Sequence, residues 1–269
     1  MFLGKGKEMM KLEIRNATLG YHNNAVLQDV NLELSAGTTT CLIGRNGAGK
    51  TTLFKSLLGI LPVLKGDILL DGKSILRWKC RDYARVIAYV PQVRTLTLPF
   101  TAFDVVLFGR TAHLSHFASP AKHDRRIADE CLEKLQINHL RNRIFTQLSG
   151  GEQQMVIVAR ALAQQPVFLV MDEPASSLDF GNQIKIIAQV NRLKDDSLGI
   201  LMATHSPDHA FMCRADVMVV HGGQIRKPGY CNRMITEKVL KEIYDADVCV
   251  CSVKGKSNET IRTCVPVMS

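Results

Sequence analysis

The 269-residue chain lacks any long apolar run. Its clearly apolar stretches, such as Val167 to Met171, fall far short of the ~20 residues that span a bilayer, which excludes a membrane-spanning chain. A secretory leader is also missing: Met1 to Lys11 carries lysines but no apolar segment, so a cytoplasmic protein is expected, with Met9 or Met10 an alternative start. No internal repeat and no low-complexity linker occurs. The eight cysteines, at 41, 80, 131, 213, 231, 249, 251 and 264, are scattered, and a chain this long needs no disulfide staples. Acidic residues fall short: 25 against 34 basic ones, a formal net charge of +9. That excess suits polyanionic partners, whether nucleic acid, acidic lipid headgroups or phosphorylated ligands. Hydrophobic residues make up 46% of the chain, enough for a core, so whole-chain disorder is excluded.

The first segment alternates. Leu12 and Ile14, then Val30, Leu32 and Leu34, repeat every two residues and predict strands of a partly exposed sheet. Short apolar runs follow, and each ends in a polar loop: Cys41–Ile43, Val86–Val90, Val167–Met171, Ile200–Ala203 and Val217–Val220. Alternating with helical patterns, they predict a largely parallel sheet covered on both faces. Between Gln92 and Ser149, Ile127, Ala128, Cys131, Leu132 and Leu135 recur at helical spacing and no buried strand stands out. This predicts a helical insertion. A short helix at 236–244 and a hairpin pairing 247–253 with 261–267 are expected near the end.

Gly44-Arg45-Asn46-Gly47-Ala48-Gly49-Lys50-Thr51 fits G-x-x-x-x-G-K-[ST], followed by Thr52. Glycines let successive N–H groups turn inward onto phosphate oxygens, and the following helix points its positive end at the same anion. Lys50 would neutralise the β- and γ-phosphates and Thr51 would ligate Mg²⁺. A chance match in a chain this long is roughly one in a hundred. The motif predicts nucleotide binding without separating a transport ATPase from a kinase, a GTPase or a repair ATPase. Asp172 and Glu173, closing a buried run, are costly to place there without a cation or donors.

Leu148-Ser149-Gly150-Gly151-Glu152 reads locally as a capped helix start, with Ser149 and Glu152 at capping-box spacing. Two glycines there also make it a second anion site. At this stretch the chain resembles the ATP-binding cassette family, whose signature is LSGGQ or LSGGE. The resemblance runs from Lys11 to about Tyr230 and rests on six landmarks in order: the phosphate loop, Gln92 as Q-loop, the signature, Asp172 with Glu173, Ser177-Leu178-Asp179 as D-loop, and His205 as switch histidine. Tyr21 stands where the family places an aromatic against adenine. Ala175 departs from the Thr common after Asp-Glu-Pro.

The resemblance implies an α/β, P-loop (RecA-like) core, largely parallel, with an N-terminal antiparallel β subdomain and an inserted α-helical subdomain at about 93–164. The cassette would span 11–230, and 231–269 would form a short extension. The family implies ATP and Mg²⁺ as cofactors. Lys50, Gln92, Glu173 and His205 would be catalytic: Glu173 as general base, His205 on the γ-phosphate. Thr51, Gln92 and Asp172 would surround the metal. Residues 44–52 and Tyr21 would hold one nucleotide, and Ser149, Gly150, Gly151 and Asp179 would act across the seam of a homodimer.

Residues 84–92, Phe100 to Arg110, His113, Leu114 and Phe117, and His205 to Ala210 look like importers of iron–siderophore, haem or cobalamin. Molybdate and tungstate importers fit 113–123 about as well. Such a subunit is expected on the cytoplasmic face of the membrane, against integral permease subunits and, indirectly, an extracytoplasmic binding protein. The surplus basic residues are expected on a face near the anionic leaflet, without nucleic acid. A non-transport cassette acting on nucleic acid or the ribosome, or a nucleotide kinase, are the competing classes. His113, His116 and His123 lack a carboxylate or Cys at ligand spacing, and Cys249 and Cys251 share a strand face. Solvent or interface positions account for the histidines, and packing for the cysteines.

Overall fold

The computed structural model describes residues 10–22, 24–92, 99–115, 118–194, 197–255 and 258–267. Met9, His116 and Phe117, named above, lie outside the described residues. In chain order the elements are β1 (Lys11–Tyr21), β2 (Asn24–Ser35), β3 (Thr39–Ile43), α1 (Lys50–Leu57), β4 (Val63–Leu70), β5 (Lys73–Ser74), α2 (Cys80–Ala84), β6 (Ile87–Val90), α3 (Ala102–Leu107), α4 (Lys122–Lys134) and α5 (Gly150–Ala163). There follow β7 (Phe168–Asp172), α6 (Phe180–Lys194), β8 (Gly199–Thr204), α7 (Pro207–Cys213), β9 (Asp216–His221), β10 (Gln224–Ile225), β11 (Gly229–Tyr230), α8 (Cys231–Met234), α9 (Glu237–Tyr244), β12 (Val248–Lys254) and β13 (Thr260–Pro266).

An antiparallel sheet runs β2-β1-β4-β5, and the central sheet runs β10-β9-β3-β8-β7-β6 with β11 beside β9. The pairings β9·β3, β3·β8, β8·β7 and β7·β6 are all parallel. These core strands are buried along nearly their whole length, as a sheet covered on both faces requires. The two-residue side-chain period then divides each strand between two cores. Leu42, Val170, Leu201 and Met218 face the antiparallel sheet and α1. Cys41, Ile43, Leu169, Met171, Ile200 and Met202 face the helical layer. The architecture is the P-loop α/β class expected from the sequence. β4 carries no clean alternation, because Lys65 and Gly66 interrupt it, yet it pairs with β1 from Leu12↔Leu70 to Leu19↔Val63.

Between residues 99 and 163, helices α3, α4 and α5 pack on one another. A buried ion pair joins them: Arg110 Nε lies 3.0 Å from Asp124 Oδ1, and Arg110 Nη1 donates to the Ala163 carbonyl at 2.7 Å. β12 and β13 pair from Val248↔Pro266 to Lys254↔Thr260, and β13 packs against α7.

Parallel pairing levels the carboxyl ends of the central strands: Ile43 opposes Thr204, Asp172 opposes Ala203, and Val90 opposes Met171. The loops after β3, β6, β7 and β8 therefore open on one edge, where open α/β sheets bind ligands.

Candidate nucleotide site

The loop after β3 is Gly44 to Gly49. Gly49 has φ +110°, and a Cβ on it would lie 2.9 Å from Leu27 Cδ2. No other residue takes that turn at so little cost. Arg45, Asn46 and Gly47 are exposed at the mouth, Ala48 is half-buried, and Gly44 is buried. The Lys50 side chain is buried, and its Nζ donates to the carbonyls of Gly44 at 2.7 Å and Arg45 at 3.2 Å. Its ammonium is thereby folded over the cradle. Thr51 is exposed toward the loop mouth, whereas Thr52 is buried on the core side of α1.

Around this cradle the neighbouring strand ends supply carboxylates. Thr51 Oγ1 donates to Asp172 Oδ2 at 3.2 Å, and the Tyr89 hydroxyl donates to the same oxygen at 3.3 Å. Burial, reinforced by the Glu173 charge, pushes the Asp172 carboxyl above its ordinary range; the Thr51 and Tyr89 hydrogen bonds and Lys50 pull the other way. Glu173 sits at φ +48°, uncommon for a side chain with a Cβ, and its N–H donates to the Ala203 carbonyl at 3.1 Å. This left-handed step turns the carboxylate back into the site. Glu173 Oε1 lies 3.5 Å from Lys50 Nζ, and Oε2 lies 3.4 Å from His205 Nδ1.

Gln92 joins through an intermediary. Its Nε2 donates to Ser176 Oγ at 2.9 Å, and Ser176 Oγ donates to the Glu173 carbonyl at 2.8 Å. The structure thus brings Lys50, Thr51, Asp172, Glu173, His205 and, through Ser176, Gln92 to one edge. Tyr21 ends β1 and is 40% exposed; Lys55 Nζ lies 5.5 Å from its ring centroid, leaving the ring reachable by a planar base.

Ser149, Gly150, Gly151 and Asp179 form a second cluster. Ser149 caps α5: its Oγ accepts from the Glu152 N–H at 3.4 Å, while Glu152 Oε2 accepts from the Ser149 N–H at 2.8 Å. A Cβ on Gly151 would fall 2.5 Å from Asn182 Cγ. Asn182 is in turn tied to Asp179, donating Nδ2 to Oδ2 at 2.7 Å. The Asn182 backbone N–H, first among its causes, holds the Asp179 carboxyl below its ordinary range. Among the described residues, every hydrogen bond of Ser149 stays within its own helix start.

Ser176 and Asn182 are partners that the sequence motifs do not mark, and Tyr89 lies in the 84–92 segment with no role assigned to it from sequence. Asp172 and Thr51 offer neighbouring oxygen donors, and the half-buried Asp172 carboxyl forms no ion pair among the described residues. Both features fit Mg²⁺. His113 Nε2 lies 2.9 Å from the Gln164 carbonyl, and His123 Nδ1 accepts from Arg126. Among the described residues no cluster of three metal-binding side chains forms, and no helix is long and apolar enough to cross a membrane.

A family model described as ABC transporter matches residues 27–176. The chain is 38% identical over 244 residues to an uncharacterized ABC transporter ATP-binding protein of Haemophilus influenzae, covering 91% of this chain and 93% of that one. It is 32% identical over 240 residues to the iron(3+)-hydroxamate import ATP-binding protein FhuC of Bacillus subtilis, covering 89% of each. It is also 32% identical over 240 residues to the manganese transport system ATP-binding protein MntB of Listeria innocua, covering 88% of this chain and 98% of that one. A solved ABC transporter described as of metal-chelate type, in an inward-facing conformation, superposes with a TM-score of 0.85 at 27% identity, over 96% of this chain and 98% of that one.

Proposed function

The chain belongs to the ABC transporter family and is an ATP-binding ATPase, and from that premise we propose that it powers import of a metal chelate such as an iron–siderophore, haem or cobalamin. The observation that carries the catalytic part is the contact chain Lys50–Glu173–His205 beside Thr51–Asp172 at the strand ends. The iron-hydroxamate relative and the metal-chelate structure support the cargo class over molybdate or tungstate. Manganese is the second reading, favoured by the Listeria relative.

The residues divide the work of phosphoryl transfer, which is mostly positioning and charge neutralisation. The N–H groups of 44–49 and the start of α1 wrap the phosphates, and Lys50 exchanges the Gly44 and Arg45 carbonyls for phosphate oxygens. Thr51, Asp172 and Gln92 would hold Mg²⁺. When bound, the ion neutralises charge building on the phosphate oxygens. Glu173 accepts the proton of the attacking water. His205, steadied against Glu173, approaches the γ-phosphate from the other side. Tyr21 stacks on the base. Ser149, Gly150 and Gly151 of one copy cap the nucleotide held by a second copy, and Asp179 lies along that seam. The assembled pair would sit on the cytoplasmic side of a permease, fed by a binding protein outside, with basic residues toward the leaflet.

Affinity purification of the full chain from its own host membranes tests the reading. A co-purifying permease, with ATPase in liposomes stimulated by a ferric chelate and its binding protein, supports it. Stimulation by Mn²⁺ alone selects the second reading. Salt-sensitive nucleic-acid binding with no permease contradicts both.

A further inference from the structure

The segment after Tyr230 takes no part in the motifs, yet it reaches the switch loop. His205 follows β8 at the start of a short turn leading into α7. On the core side this turn is fixed by Thr204, whose Oγ1 lies 2.8 Å from the buried His209 Nδ1 and accepts from the Ser206 N–H at 3.1 Å. Two further bonds come from the C-terminal elements. The Tyr244 hydroxyl, at the end of α9, donates to the His205 carbonyl at 3.1 Å. The Cys264 N–H, on β13, donates to Asp208 Oδ1 at 2.8 Å.

α9 is itself well braced. Leu240 and Ile243 are buried beneath it, and Thr236 caps its start. Glu242 on its outer face pairs with Arg226, and Lys241 with Asp247 at 2.8 Å. Burial pushes the Tyr244 hydroxyl up to about 12, with the charges of Cys264 and Glu173 adding to it, so the group stays a hydrogen-bond donor at any working pH.

We infer that Tyr244 is a positioning residue for ATP hydrolysis: its hydroxyl, carried on α9, fixes the His205 backbone and thereby the approach of His205 to Glu173 and the γ-phosphate. The C-terminal segment is then part of the hydrolytic apparatus. Asp208 and Cys264 hold the same turn from its other end. This rests on the proposed roles of Glu173 and His205.

Tyr244→Phe removes one hydroxyl and keeps the ring. Steady-state ATPase of the full chain should show kcat falling about five-fold, the size of one lost positioning bond, with KM for ATP unchanged. In a His205→Ala background the same change should cause no further fall, because both act through one imidazole. Unchanged kcat in Tyr244→Phe overturns the inference. So does a loss confined to kcat/KM through a raised KM, or an equal further fall in the double variant. The underlying reading fails separately if wild type hydrolyses ATP and His205→Ala does so equally well.

Discussion

Glu173→Gln separates binding from hydrolysis, and its effects can be worked from the contacts. The Glu173 side chain is 16% exposed and lies 3.5 Å from Lys50 Nζ. At an effective dielectric of ~20, that pair has a gross attraction of about 5 kcal/mol. Desolvation cancels most of it, and Lys50 keeps the Gly44 and Arg45 carbonyls when the charge is gone. The net loss in the nucleotide-free protein should be near 1 kcal/mol, lowering Tm by ~2–4 °C for a chain of this size. With ATP the sign reverses. The triphosphate supplies the negative partner of Lys50, and the neutral amide of the variant no longer repels it, so ATP affinity should hold or tighten. Hydrolysis should fall ~10²–10⁴-fold, the worth of a general base. Single-turnover hydrolysis of radiolabelled ATP, with scanning calorimetry with and without ATP, measures all three effects. A hydrolysis rate within about threefold of wild type would refute the assignment of the base.

Asp172→Asn should raise stability and abolish activity. A carboxyl whose folded-state value is raised binds more protons folded than unfolded, so stability falls as pH rises from the ordinary Asp range through the raised one. At neutral pH the variant should melt above wild type without nucleotide, and its melting temperature should depend less on pH across that range. ATPase should fall more than ~100-fold for want of a metal-holding carboxylate. A lower Tm would contradict the burial argument. Gly151→Ala should leave the melting temperature near wild type, since the new methyl meets the end of the Asn182 side chain rather than backbone. Displacing Asn182 breaks its bond to Asp179, and ATPase should fall roughly tenfold with KM for ATP little changed. Full activity would exclude a role for this cluster.

What is legible in the sequence is what is local. The phosphate loop declares itself because Gly44 to Thr51 are consecutive and their chemistry is set by the turn they make. The capping box at Ser149 and Glu152 is legible because its partners stand three residues apart. The parallel sheet is legible as a class from its short buried runs. Its order is not, because β3 pairs with β8 and β9 across distant sequence, and no single run names its neighbour. The same separation hides the supporting site residues. Tyr89 meets Asp172 across 83 positions and Gln92 meets Ser176 across 84. Tyr244 meets His205 across 39, from a segment with no motif of its own. β4 escapes the period-two reading because Lys65 and Gly66 sit where it bends past the bulge at Asn16 to Ala17, and backbone pairing rather than side-chain pattern makes it a strand.

In the proposed assembly one chain holds the phosphates and a second copy completes the site through Ser149, Gly150 and Gly151. Sedimentation of purified Glu173→Gln, with and without ATP and Mg²⁺, measures that pairing. A 29.9 kDa species without nucleotide should become a two-chain species of twice that mass with ATP. Its Ser149→Arg derivative should remain single. A chain that binds ATP tightly and stays at 29.9 kDa would contradict it.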